Sequence, residues 1–164
     1  VACKRSGTTK RITPKARKKP FAELSRADSA VVAQWVDDAS KHSFKLVGDT
    51  IYAYNSAVVD DVVALASSLN VVYSGIAMGQ IFKGKLKPEH PLALYVGRAE
   101  GVVPAVELDL EQALCYLRRQ DVVASPFAEG INIVMHKGIA IGFIKRIGAR
   151  CNNMYPMEQR IIKN

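Results

Sequence analysis

Apolar and polar positions alternate along this chain in two different periods. Behind Ser25 and Asp28, the residues Ala30, Val31, Ala33, Trp35 and Val36 recur at helical spacing, which predicts a helix over about 26–40. Ser25-Arg-Ala-Asp28 is a capping-box pattern: the serine oxygen accepts an orphan N–H while the acid reaches back. Phe44–Val47 and Thr50–Tyr54 are β-branched and aromatic runs joined by Gly48-Asp49, a two-residue hairpin signal. Val59, Val62, Val63, Leu65, Ala66 and Leu69 then mark one side of a second helix, capped by Asn55 or Ser56. From Val71 to Phe82 the chain is apolar with breaks at Gly75 and Gly79, which suits one or two strands with a bend. Lys83 to Pro91 reads as a turn-rich basic loop, Leu92–Val96 as a short buried piece, and Val102–Leu108 as a strand. Asp109-Leu-Glu-Gln112 is a second capping box, opening a helix through about Arg119 that buries Leu110, Ala113, Leu114 and Leu117. Residues 130–135 and 139–144, joined by His136-Lys137-Gly138, form a hairpin. The expected class is α+β: a helix, a hairpin and a second helix, followed by a small mixed barrel or curled sheet with one or two helices.

Charge sharpens this division. The chain has 164 residues, enough for one ordinary domain or two small lobes, and 49% hydrophobic with 23% charged content fits a soluble globular protein. No apolar run approaches the ~18 residues of a membrane span, and no charged-then-apolar segment opens the chain. The three cysteines, Cys3, Cys115 and Cys151, are odd in number and widely spaced, which suits a reducing cytoplasm better than a disulfide framework. The net charge of +8 is carried by residues 1–20 alone, whereas 21–74 sum to −4 and 75–164 to +4. A basic arm and a mildly basic second half point to a polyanion partner; the arm read on its own is equally a solvated linker. The opening Val1-Ala-Cys runs into Lys4-Arg5 like the end of a strand leaving a core, so the chain reads as a piece of something longer or a processed form.

Several chemistries are tested by spacing. Gly79-Gln-Ile-Phe-Lys-Gly84-Lys85 follows a phosphate loop up to its last position, but Leu86 stands where Ser or Thr is required, and Pro88 and Pro91 oppose the helix that must follow. His42, His90, His136 and the cysteines lie far apart, with no metal-ligand spacing. Cys115 reads as a packing residue, and Cys151 has no partner base in the sequence pattern. No G-x-G-x-x-G turn for a dinucleotide or S-adenosylmethionine occurs. Basic residues interleaved with polar and aromatic ones do occur. Lys83, Lys85 and Lys87 are followed by His90, and Lys145 and Arg146 are followed by Arg150, Asn152, Asn153 and Tyr155. Cations of this kind neutralise phosphates, and amides with a tyrosine ring read or stack on exposed bases; the same residues also make an ordinary solvated turn surface.

Order and spacing add a family resemblance. Gly75-Ile-Ala-Met-Gly79, the stretch Lys83–Leu94, Ala113–Leu117, Gly142-Phe-Ile-Lys145, Gly148–Pro156 and Arg160 resemble the C-terminal, PUA-like RNA-binding region of Sun/Fmu-type RNA cytosine-C5 methyltransferases of bacterial ribosomal RNA. Residues 1–5 are similar to the last strand of that family's catalytic domain. The resemblance implies a PUA-like pseudo-barrel over 75–164, a bridging lobe over 21–74 and a basic linker before it. It implies a cytoplasmic parent enzyme using S-adenosylmethionine, with two catalytic cysteines that this chain lacks, so the fragment holds no catalytic residue, metal or cofactor. Its implied partners are ribosomal RNA and the catalytic domain of the parent chain, with no membrane. Lys83, Lys85, Lys87, His90, Lys145, Arg146, Arg150, Asn153 and Tyr155 are the implied RNA-binding residues, with Asn153 and Tyr155 either touching RNA or closing the barrel end. Asn152 stands where the family has a lysine, and Arg150 is placed to take over its contact. The competing readings are a protein-docking module, built on the acidic 21–74 segment with incidental RNA affinity, and an independent enzyme using Cys151.

Overall fold

A computed structural model of the protein describes residues 21–69 and 71–162. The basic arm and the expected strand end at residues 1–5 lie outside the described residues. The fold is α+β, with two sheets and four α-helices among the described residues. The first sheet runs β1 (Ala22–Glu23), β2 (His42–Val47), β3 (Thr50–Asn55), β4 (Ile76–Phe82) and β5 (Lys85–Pro88), in that spatial order and antiparallel throughout. The second has β6 (Ala105–Glu107) parallel to β7 (Gly130–His136), followed by antiparallel β8 (Ile139–Ile147) and β9 (Arg150–Asn153). The helices are α1 (Arg26–Ala33), α2 (Val59–Ser68), α3 (His90–Leu94) and α4 (Leu110–Leu117). None is long and apolar enough to cross a membrane.

Two cores stack these layers. Ile133 and Phe143 point from the second sheet toward Met78, Leu86, Ile51 and Ala53 of the first, with Val32, Trp35, Leu92 and Ala93 filling between. Trp35 meets Phe143 edge-on, with ring centroids 6.0 Å apart, a geometry aromatic pairs prefer. On the other face, Val134 and Ile144 pack with Leu108, Phe127 and the α4 residues Ala113 and Tyr116. Strands β7 and β8 are therefore buried on both sides, which is why their sequences are continuous apolar runs rather than alternating ones.

Local chemistry explains most element ends. The Gly48-Asp49 hairpin forms with Val47 opposite Thr50. The capping box of α4 is complete: Asp109 Oδ1 accepts from the Gln112 N–H at 2.8 Å, and Gln112 Oε1 accepts from the Asp109 N–H at 3.2 Å. At α1 only half forms, because Asp28 Oδ2 takes the Ser25 hydroxyl at 2.8 Å rather than the Ser25 N–H.

Several expectations change. Helix α1 ends at Ala33, not near 40, because the next backbone is drawn into pairing with residues 97–99: Asp37 N–H donates to Gly97, and Ala99 N–H to Trp35. Helix α2 begins at Val59 without a side-chain cap, since Asn55 Oδ1 is engaged by the Ala57 N–H at 2.9 Å. Its Leu65 and Leu69 face solvent, as does Leu110 at the start of α4. The basic loop over 83–91 is a two-residue turn, strand β5 and the start of α3, with Pro91 in the first helical turn where no N–H is needed. Pairing of β3 with β4 carries the first sheet across residue 74, so the β2–β3 hairpin shares its sheet with β4 and β5.

Candidate nucleic-acid interface

The sequence-predicted cations fall on two hairpins, one in each sheet. In the first, β4 and β5 are joined by Lys83 and Gly84, whose φ angles of 51° and 73° are both positive, as a tight type I′ hairpin turn requires. Phe82 faces Lys85 and Gln80 faces Lys87, so these four share one face, and all four are exposed. Leu86 and Pro88 turn the opposite way into the core. The strands approach so closely that a Cβ on Gly79 would meet the Lys87 carbonyl, which restricts this position to glycine. Lys83 Nζ lies 5.5 Å from the centre of the Phe82 ring. What resembled a phosphate loop at 79–86 is thus a strand–turn–strand, in which Lys85 and Leu86 open strand β5 where a phosphate loop would open a helix.

In the second hairpin, β8 and β9 present Lys145 opposite Asn152 and Ile147 opposite Arg150, all exposed on one face. The intervening residues point to the other face. There Arg146 donates from Nε to the Gly148 carbonyl at 2.8 Å and from Nη1 to that of Phe127. Asn153 Nδ2 donates to the Tyr116 carbonyl at 2.7 Å, and its Oδ1 accepts from the Tyr155 N–H at 2.9 Å. The Tyr155 ring lies edge-on to both Tyr116 and His90, at 5.6 and 4.9 Å, and Arg119 donates to the Tyr155 carbonyl. His90 is half-buried, its Nδ1 has no partner, and burial pushes its pKa below the ordinary value.

The predicted site residues therefore separate by environment. Lys83, Lys85, Lys87, Lys145 and Arg150 reach solvent, and none forms an ion pair among the described residues. Arg146, Asn153, Tyr155 and His90 are engaged in packing or backbone hydrogen bonds around the end of the second sheet. Phe82 joins the exposed set, although its alternation with the lysines was already visible in the sequence. Cys151 is half-buried against the second core, and burial raises its thiol pKa despite the opposing charge of Arg146. Among the described residues no group of His, Cys, Asp or Glu is placed to hold a metal ion. A cavity of about 460 Å³ beside the first sheet includes Glu23, Asp28 and Asp49 in its lining, the wrong sign for phosphate.

Against known families, residues 103–161 match the methyltransferase RsmF PUA domain. Over this segment the chain is similar to that family. The matched segment takes in the whole second sheet, α4 and the 3-10 turn Met157–Gln159. Lys145, Arg146, Arg150, Asn153 and Tyr155 lie inside it, whereas Lys83, Lys85, Lys87 and His90 precede it. Compared with curated proteins, the chain matches none.

Proposed function

We propose that this chain is the RNA-holding part of a bacterial ribosomal RNA 5-methylcytosine methyltransferase, acting in the cytoplasm to position structured RNA for a catalytic domain. The observation that carries the reading is the placement of Lys145 and Arg150, exposed and without ion pairs among the described residues, on the outer hairpin of the PUA-like segment, with Lys83, Lys85 and Lys87 on a second hairpin before it. Cations free of carboxylate partners are available to phosphates. On this reading S-adenosylmethionine is held by the catalytic domain: β4 of this chain leads into a hairpin, not into the glycine-rich strand-to-helix turn that cradles such a cofactor. The residues described here then bind RNA and do no chemistry of their own. The segment 21–74 serves as a bridging side toward the catalytic domain.

One observation favours a protein-docking module instead. Leu65, Leu69, Val72 and Tyr73 expose apolar surface on and after the acidic helix α2, a pattern that suits a protein partner.

The two readings separate on a salt series. The chain is titrated with a ribosomal RNA helix at increasing salt. RNA holding predicts affinity that falls linearly on logarithmic axes, with a slope shallower by up to about 2–3 when Lys83, Lys85 and Lys87 become Ala. Binding that is absent, or indifferent to salt, rejects it.

A further inference from the structure

The β4–β5 hairpin carries a feature that phosphate binding alone does not require. Phe82 is 67% exposed on a face otherwise made of Gln80, Lys85 and Lys87, with Lys83 at the tip. Lysines on an edge strand are a common guard against unwanted strand pairing, and β5 is an edge strand. That guard accounts for Lys85 and Lys87. It does not account for an aromatic ring held out of both cores, in the register position directly across from Lys85.

We propose that Phe82 is a stacking platform for an unpaired base, so that this hairpin grips a loop, bulge or single-stranded segment of RNA. The inference rests on the RNA-holding reading above and adds the class of RNA. Cross-strand neighbours sit about 5 Å apart and diagonal ones about 7–8 Å, so Lys85 and Lys87 are within one nucleotide's reach of the ring. A base laid on the ring has its own phosphate near an ammonium, and Gln80, exposed on the same face, offers an amide to a base edge. The Lys83 ammonium, 5.5 Å from the ring centre, adds a cation–π contact to the same platform. Bases inside a continuous A-form duplex are stacked on each other and offer no face to such a ring.

The test compares two RNAs of equal length and charge, a stem with an unpaired loop and a fully paired duplex, against the full chain and its Phe82→Ala, Phe82→Tyr and Lys83/Lys85/Lys87→Ala variants. A base analogue whose fluorescence is quenched by stacking is placed in the loop. Phe82→Ala is expected to weaken loop binding roughly 5- to 150-fold and to abolish the quenching, while leaving duplex binding unchanged. Phe82→Tyr is expected to retain both. Because the ring is exposed, the urea midpoint is expected to stay where it is. Equal binding of loop and duplex, with Phe82→Ala neutral while the triple lysine change still weakens both, overturns the stacking inference and leaves RNA holding intact. No salt-dependent binding to either RNA overturns both.

Discussion

The Tyr116 hydroxyl donates to the Phe143 carbonyl at 2.9 Å, in the space that a side chain on Gly142 would occupy. This contact, with the packing of Ala113 and Tyr116 on Val134 and Ile144, fastens α4 to the centre of the second sheet. A methyl group on Gly142 would collide with the phenol oxygen, so Gly142→Ala is expected to cost about 1–3 kcal/mol of stability by overpacking. In a Tyr116→Phe background the colliding oxygen is gone. The Gly142→Ala penalty is then expected to shrink, and urea unfolding of the four proteins of this cycle measures the coupling.

Asn132 is fully buried and uses both ends of its amide: Oδ1 accepts from the Ala128 N–H at 2.9 Å, and Nδ2 donates to the carbonyls of Ala128 and Gly130 at 2.8 and 3.0 Å. Asn132→Ala removes the three hydrogen bonds that tie the 128–130 turn to the buried β7 and leaves a space where the amide stood. A loss of about 2–3 kcal/mol is expected, read from the urea midpoint.

Arg146 and Arg150 are adjacent in register terms but are expected to behave oppositely. Arg146 holds the Phe127 and Gly148 carbonyls, so Arg146→Ala should lower stability by about 1–2 kcal/mol. Arg150 is exposed on the opposite face of the hairpin. Arg150→Ala should leave the unfolding midpoint unchanged and reduce the salt slope of RNA binding by about 1.

The protein is expected to lose stability as pH falls below 6.5, in part through His90. Burial depresses the folded-state pKa of this imidazole, so between that value and 6.5 the unfolded chain binds more protons. The contribution is complete above 6.5 and is lost as pH drops through the folded-state value. Denaturation midpoints across this range should fall less steeply for His90→Phe, which keeps the ring contact with Tyr155.

Raised by burial, the Cys151 thiol should react slowly with iodoacetamide at neutral pH, as peptide-by-peptide mass analysis would show. Cys151→Ser is expected to leave RNA affinity unaltered, and a large loss of affinity would bring the thiol back into consideration.

What could be read from the chain itself followed from local chemistry. The Asp109–Gln112 capping box, the Gly48-Asp49 turn and the 130–144 hairpin each depend on neighbours a few residues away, and each formed in place. The order and spacing of short motifs from Gly142 to Pro156 also carried the methyltransferase resemblance that the PUA match supports. Strand β5 was hidden because its lysines and prolines read locally as a loop, although Leu86 and Pro88 alternate with them into the core. The end of α1 was hidden for a different reason, since its stop comes from backbone pairing with residues distant in sequence.

The site divided along the same line. Composition and spacing alone marked out Lys83, Lys85, Lys87 and His90, then Lys145, Arg146, Arg150, Asn152, Asn153 and Tyr155, as two basic and polar stretches. Only the sheets decided which of them face water, because a strand sends neighbouring residues to opposite faces and only packing determines which face is covered. That is why Lys145 is exposed while Arg146, the next residue, is tied to the Phe127 and Gly148 carbonyls.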